Sequence, residues 1–176
     1  MNNKILLRKT CSVYASDLHF ATMIFPFVDN EIEKGAIIKP ILENNISNSI
    51  EKIIENVGIK EDVKNKIKNV DWSKTDINKI KSTLNDIEKL LHKKCIVHII
   101  IAGSNLFIEK VNKLIDLWAK INLDEIEKNK SIINIINGYN FEENDNVEHI
   151  IENHEYILKT TGIEAIYEKE KLKKAN

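Results

Sequence analysis

The stretch from Cys95 to Asn105 reads CIVHIIIAGSN, an apolar run that ends in a polar turn. Its first seven residues are apolar on both alternating faces apart from His98, which is typical of a strand covered by helices on both sides of a sheet. Gly103 and Ser104 then lead into a segment with helical spacing. This stretch therefore predicts a strand at the centre of a mostly parallel sheet.

Short β-branched runs alternate with amphipathic segments on both sides of this stretch. Such alternation builds a sheet whose strands are joined by crossover helices. The predicted strands are 4–7 and 12–15 around Cys11, 36–42, 95–101, 131–136 and 163–167, and the predicted helices start near Ser16, Asn45, Thr75, Asn105 and Val147, the last reaching Gly162. We therefore predict an α/β fold with three layers, in which helices flank the sheet.

Four segments depart from this simple pattern. Pro26 falls within the first helix and predicts a kink or break there. Pro40 predicts that its strand ends early or lies where no ladder donor is needed. Residues 61–69 fit a helix or a connector, and residues 70–72 fit a minor strand or an extended lid. The sequence leaves these last two choices open.

Length and charge restrict the class of protein. A chain of 176 residues fits one domain, here 1–176 with a charged tail at 168–176. The 26 basic and 27 acidic residues give a net charge of −1, so no excess of positive charge exists to neutralise nucleic-acid phosphates or an anionic membrane. No apolar run approaches the roughly 20 residues that span a bilayer, and the N-terminal residues lack a signal-peptide pattern. We expect a cytoplasmic protein without direct nucleic-acid or membrane partners.

The five glycines allow phosphate-binding motifs to be checked one by one. A P-loop needs a glycine followed by Lys and then Ser or Thr, whereas the residues that follow these glycines are Ala36, Ile59, Ser104, Tyr139 and Ile163. A dinucleotide fingerprint needs glycines two residues apart, and no pair is that close. Both a standard Walker mechanism and classical NAD binding are therefore disfavoured.

Nucleophilic and metal-dependent chemistry lack their usual spacings. No G-x-S-x-G motif occurs. Cys95 and His98 are three residues apart, which places them on opposite faces of a strand. His149 and His154 are five apart, whereas two zinc ligands on one helix face are four apart. We expect no metal and no cofactor.

Position in the fold indicates a ligand site instead. In open α/β sheets, ligands bind beyond the carboxyl ends of the strands, where turns supply polar side chains and helix N-termini. Helix capping and turn formation favour the same residue types, so the structural alternative stays open. The candidate ligand-binding residues are Ser16, His19, Ser104, Asn105, Asn137, Tyr139 and Asn140 in turns, with Trp72 as an apolar wall.

The order of several short motifs resembles a known family. His19 and Phe20 open the first helix, and a strand directly follows Gly35. The other motifs are Pro26-Phe27-Val28 with Glu33-Lys34-Gly35, Asp71-Trp72 before a helix, the strand and turn of 97–104, the strand of 132–141, and 148–162 with His154. Between Ser16 and Gly162, this order resembles the MEDS domain, the sensory domain of methanogens, methylotrophs and the dichloromethane-operon regulator.

The resemblance implies a RecA-like α/β fold without a P-loop and a role in sensing small organic molecules or relaying signals. Members of the family often carry a DNA-binding or histidine-kinase module, for which 176 residues leave no room. We therefore expect a stand-alone, non-enzymatic sensory domain. It would bind a small organic ligand and act through a protein partner or as a homodimer.

Three alternatives remain at this point. The chain is a diverged nucleotide-dependent enzyme if Ser104 or Asn105 holds a phosphate at a helix N-terminus. It is an interaction scaffold if an exposed helix face pairs with another subunit. Histidine phosphotransfer through His149 is disfavoured because such modules are normally helical bundles.

Overall fold

The structure is a computed structural model that describes residues 7–143 and 147–166. The predicted charged tail at 168–176 and the predicted strand residues 4–6 lie outside the described residues. The strands are β1 (Leu7–Tyr14), β2 (Ile37–Leu42), β3 (Ile96–Gly103), β4 (Ile132–Asn140), β5 (Tyr156–Lys159) and β6 (Gly162–Ala165). The helices are α1 (Asp17–Glu33), α2 (Ser47–Asn56), α3 (Glu61–Lys68), α4 (Ile80–Leu90), α5 (Asn105–Ile121), α6 (Leu123–Asn129) and α7 (Val147–Glu152).

These strands form one sheet in the order β2-β3-β4-β1-β5-β6. Neighbouring strands from β2 to β5 are parallel, and β6 is antiparallel to β5. In the register, Tyr14 lies opposite Asn140, and Gly103 lies opposite Tyr139. The carboxyl ends of β1 to β4 therefore lie along one side of the sheet, which we call the carboxyl edge.

Helices cover both faces of the sheet. On one face α1, α2 and α3 bury side chains such as Phe20, Ile50 and Ile67. On the other face α4, α5 and α6 bury a second core, with α7 packed against its margin. The predicted three-layer α/β fold with a mostly parallel sheet is confirmed. No helix among the described residues is both long and apolar enough to cross a membrane.

The segments that the sequence left ambiguous have definite structures. Residues 61–68 form α3, and the segment after it is neither a strand nor a lid, because Trp72 is buried and its Nε1 donates to the carbonyl of Ile67 at 3.0 Å. Pro40 lies in β2, an edge strand, as its missing N–H predicts. α1 runs from Asp17 to Glu33 without a break at Pro26.

The prediction of one helix up to Gly162 is wrong. α7 ends at Glu152, and residues 156–159 form β5. Tyr156 and Ile157 pair with Thr10 and Cys11 of β1, and Leu158 is buried in the core of the opposite face from Ile157. Pairing with β1 and burial on both faces therefore outweigh the helical spacing of the apolar residues.

Other boundaries also differ from the sequence analysis. The two short strands predicted around Cys11 are one strand, β1, and the sheet centre is formed by β4 and β1 rather than by β3. β4 continues to Asn140, four residues beyond the predicted end. Parallel pairing explains the continuous β1 and the longer β4, because the two strands match residue for residue from Leu7 opposite Ile133 to their carboxyl ends.

A substitution at Gly138 tests the packing of α1 on β4. A Cβ at this position would lie 2.5 Å from Cε2 of Phe20, whose ring is buried and contacts Tyr14 at 4.7 Å between centroids. We expect Gly138→Ala to lower the free energy of unfolding by about 1–3 kcal/mol, measured by chemical denaturation. Gly58→Ala is the matched control, because nothing lies within 4 Å of its Cβ position. Equal stability of the two variants would contradict this packing.

Candidate functional site

The carboxyl edge has a topological switch point between β1 and β4. The chain leaves β1 into α1 on one face, whereas it leaves β4 toward α7 on the other face. β1 and β4 are neighbours in the sheet. In open parallel sheets, ligands bind in the crevice that such a divergence opens beyond the strand ends.

Ser16 and His19 occupy the β1 side of this crevice. Ser16 is the N-cap of α1, and its Oγ accepts a hydrogen bond from the backbone N–H of His19 at 3.2 Å. The Nδ1 atom of His19 accepts from the backbone N–H of Ala15 at 3.1 Å. Both side chains are exposed. Because Nδ1 accepts this hydrogen bond, the ring proton lies on Nε2, which is therefore a hydrogen-bond donor.

Asn140 occupies the β4 side, directly opposite Tyr14 in the register. Its Oδ1 accepts from the backbone N–H of Glu142 at 3.1 Å. Leu18 and Phe141, which adjoin these polar residues in the sequence, are 51% and 57% exposed. The edge thus combines hydrogen-bonding groups with exposed apolar side chains.

Ser104 is already engaged within the protein. Glu43 follows β2, and its Oε2 accepts from the backbone N–H of Ser104 at 2.5 Å while its Oε1 accepts from the Ser104 hydroxyl at 3.1 Å. Ser104 also caps α5 by accepting from Phe107 N–H at 3.4 Å. The Glu43 carboxylate therefore occupies the N-terminus of α5, where a phosphate would have to bind. The sequence analysis missed Glu43, because its role depends on the pairing of β2 with β3.

Asn137 and Tyr139 lie within β4 rather than in a turn, which corrects the prediction for both. They point toward the core beneath α5, where Asn137 is 1% exposed and accepts from Nδ2 of Asn112 at 3.1 Å. Burial raises the pKa of Tyr139 to about 12, and its ring packs edge-on against His154. Neither side chain is available at the carboxyl edge.

Asn105 and Trp72 also lie apart from the crevice. Asn105 is exposed at the start of α5 and donates to Glu109 at 3.3 Å. Trp72 is 4% exposed and borders a pocket of about 240 Å³ between α2 and Lys68 of α3. The Trp72 carbonyl accepts from Ile46 N–H at 3.1 Å, which holds this segment near the end of β2. β2 is three strand spacings, or about 14 Å, away from β1. Of the eight predicted residues, Ser16, His19 and Asn140 lie at the carboxyl ends of the neighbouring strands β1 and β4.

A buried polar cluster lies beneath α1. Both ring nitrogens of His98 have partners in it. Nε2 lies 2.9 Å from Oε2 of Glu31, and Nδ1 lies 3.3 Å from Nδ2 of Asn134. Phe27 packs edge-on against the ring. A neutral imidazole that donates from Nε2 and accepts at Nδ1 satisfies the whole cluster.

The ionisation of this cluster follows from its surroundings. Burial lowers the pKa of His98, and the nearby Glu31 carboxylate only partly offsets that effect. Burial alone would raise the pKa of Glu31, but its hydrogen bonds to Lys34 and His98 and the positive charge of Lys34 lower the pKa overall. The stable arrangement is therefore an ionised Glu31 beside a neutral His98.

The described residues contain no group of three or more His, Cys, Asp or Glu side chains placed to hold a metal ion. Comparison of the chain with protein-family models and with curated proteins finds no match. The candidate site therefore depends on its own geometry.

The His98 cluster predicts a pH dependence of stability. The unfolded His98 takes up a proton near pH 6.5, whereas the folded ring stays neutral to lower pH. The unfolded state then binds more protons, so the free energy of unfolding decreases as the pH falls below 6.5, by at most about 1.4 kcal/mol per pH unit for this group. Chemical denaturation of the wild type and of His98→Gln at several pH values below 6.5 tests this pH dependence. We expect a shallower dependence in the variant, and an unchanged slope would contradict the assignment.

The capping role of Ser104 predicts a difference between neighbouring residues. Ser104→Ala removes the N-cap and one partner of Glu43, so we expect a loss of about 1 kcal/mol in the free energy of unfolding. Asn105→Ala changes an exposed side chain and is expected to stay within about 0.5 kcal/mol of wild type. Urea denaturation compares the two, and a larger loss in Asn105→Ala would argue against the described cap.

Proposed function

We propose that the protein is a non-enzymatic sensory domain that binds a small organic molecule at the carboxyl edge between β1 and β4. The observation that carries the proposal is the switch point itself, where Ser16 and His19 follow the end of β1 and Asn140 ends the neighbouring strand β4. The side chains of Leu18 and Phe141, which adjoin these residues in the sequence, are exposed. Ligand sites of open α/β sheets occupy this position. The resemblance to the MEDS domain points to the same class of function.

The side chains at the edge indicate the chemistry of the ligand. Nε2 of His19 offers a hydrogen-bond donor, and Ser16 offers a hydroxyl group. Leu18 and Phe141 supply apolar surface that binding would remove from water. A small molecule with an apolar body and one or two hydrogen-bond acceptors fits this combination.

α1 provides a route by which occupancy would reach the rest of the protein. The helix begins at the proposed site, and 17 residues make it about 26 Å long. Near its far end Glu31 holds the buried His98. If the protein has two conformations that differ in where the N-terminus of α1 lies, a ligand that binds one conformation more tightly would increase its population. The output would then pass to a protein partner or to a second copy of the chain.

The enzyme alternative is weakened by Glu43. A phosphate at the N-terminus of α5 would have to displace a carboxylate that already accepts two hydrogen bonds from Ser104. Two like charges at that position would repel each other. An interaction scaffold is favoured by a different observation, the exposed apolar residues along α5, and it is compatible with a sensory role.

We further propose a cytoplasmic location. Cys11 and Cys95 are both free in the structure, as expected of a protein in a reducing compartment. Cys11 is buried, and burial raises the pKa of its thiol to about 11, which makes it unreactive.

Ligand binding is tested by native mass spectrometry of gently purified protein, followed by thermal shift with small organic compounds and nucleotides. A ligand at 100 times its dissociation constant should stabilise the wild type by about 2.7 kcal/mol. We expect His19→Ala to lose most of this stabilisation. His92→Ala is the matched control. His92 is an exposed histidine in the turn before β3, and so it lies at the edge of the sheet opposite to the carboxyl edge.

Each outcome has a distinct meaning. Stabilisation that is lost in His19→Ala and kept in His92→Ala supports the proposed site. Stabilisation by nucleotides that depends on Ser104 would favour the enzyme alternative instead. Equal stabilisation of both histidine variants would place the ligand elsewhere and contradict the proposal.

A further inference from the structure

α5 carries an apolar stripe that the other described residues leave largely exposed. The stripe comprises Leu106, Lys110, Leu114, Leu117 and Ile121, at spacings of four, four, three and four residues. At 3.6 residues per turn these positions fall within an arc of about 80°. Leu106, Leu117 and Ile121 are 63%, 60% and 83% exposed. Such a row of large exposed side chains on one helix marks an interaction surface.

Lys110 does not interrupt the stripe. Its aliphatic stem can lie along apolar surface while the ammonium group reaches water. Leu114 is partly buried against the core, and Leu123 of α6, which is 44% exposed, extends the apolar surface beyond Ile121. The stripe therefore runs the length of α5, about 26 Å.

A row of alternating charges lies beside the stripe. Glu109, Lys113, Asp116 and Lys120 follow one another at spacings of four, three and four residues and occupy the adjacent arc of α5, on the side away from the buried face. Their order is acidic, basic, acidic, basic. Reversal of the helix direction turns this order into basic, acidic, basic, acidic.

That reversal makes the surface complementary to itself. When two copies of α5 lie antiparallel with a two-fold axis near residue 114, Glu109 faces Lys120 of the second copy, and Lys113 faces Asp116. The apolar stripe has nearly the same centre, so Leu106 meets Ile121 and the two Leu114 side chains meet each other. In a parallel two-fold arrangement the charge rows of the two copies would instead lie on opposite flanks of the contact, so neither row would face the other.

We propose that this face of α5 binds a second copy of the chain in an antiparallel, two-fold symmetric dimer. A two-fold interface requires one patch that complements itself, and both the charge row and the apolar stripe meet that requirement. The proposal does not depend on the ligand site, because the stripe involves none of Ser16, His19 and Asn140.

Intramolecular contacts determine which charge pair is decisive. Lys9 contacts both carboxylate oxygens of Asp116, at 2.8 and 2.9 Å, so Asp116 already has a partner within its own chain. Glu109 accepts a hydrogen bond from the exposed Asn105 at 3.3 Å and is itself exposed. The pair of Glu109 with Lys120 therefore tests the orientation most directly.

The experiment is sedimentation velocity of the full chain over a range of concentrations and salt. As the protein concentration rises, we expect the mass of the wild-type species to approach that of two chains. Added salt should weaken the association, because salt screens exposed charge pairs. Glu109→Lys and Lys120→Glu each place like charges opposite each other, so each variant alone should be monomeric. An equimolar mixture of the two variants should again form dimers, since every pair in the mixed dimer is of opposite charge.

Ile121→Asp is a second variant, which removes the apolar contact at an exposed position. Circular dichroism and thermal unfolding show that each variant keeps its fold. A wild type that stays monomeric at every concentration would overturn the proposal, as would single charge variants that dimerise as well as wild type. Two monomeric variants whose mixture fails to dimerise would exclude the antiparallel arrangement.

Discussion

The parallel pairing of β1 with β4 is the contact on which the rest of the structure depends. The two strands match residue for residue from Leu7 opposite Ile133 to Tyr14 opposite Asn140. This pairing places β1 at the centre of the sheet, so α1 crosses one face to reach β2, while α4, α5 and α6 cover the other face. It also creates the divergence of connections that opens the carboxyl edge, and it leaves the far side of β1 free to pair with β5.

Elements whose stability comes from their own residues could be predicted from the sequence. β3 is apolar on both faces, and α1 and α5 begin at Ser16 and Ser104, which cap them. β5 was missed because a strand of four residues has little local signal and forms only when β1 offers hydrogen bonds. Ile121 of α5 is apolar yet exposed, since its position lies outside the arc of the helix that Val111, Ile115 and Trp118 bury.

In the candidate site, too, residues with local roles could be predicted from the sequence, whereas residues with long-range contacts could not. Ser16 and His19 were predicted because capping is local and visible in the sequence. Glu43 and the cluster of Glu31 with His98 join residues 61 and 67 positions apart, and one sequence contains no signal for such a contact. Asn137 and Tyr139 were misplaced because Asn, Gly and Tyr fit a turn as well as they fit the end of a buried strand. Polar residues near a strand end thus indicate the region of a ligand site. The strand register determines which of their side chains are exposed to a ligand.

The central place of β1 also affects the order in which the protein assembles during synthesis. β1 leaves the ribosome before the other described strands, and the end of its partner β4 follows 126 residues later. At about 5–20 residues per second, this interval lasts roughly 6–25 s. Until then β1 has no β4 beside it, and α1 has only part of the sheet to cover. A nascent chain that stops before residue 132 therefore contains β1, β2, β3 and most of the described helices, yet it lacks the strand that joins β1 to β3 in one sheet.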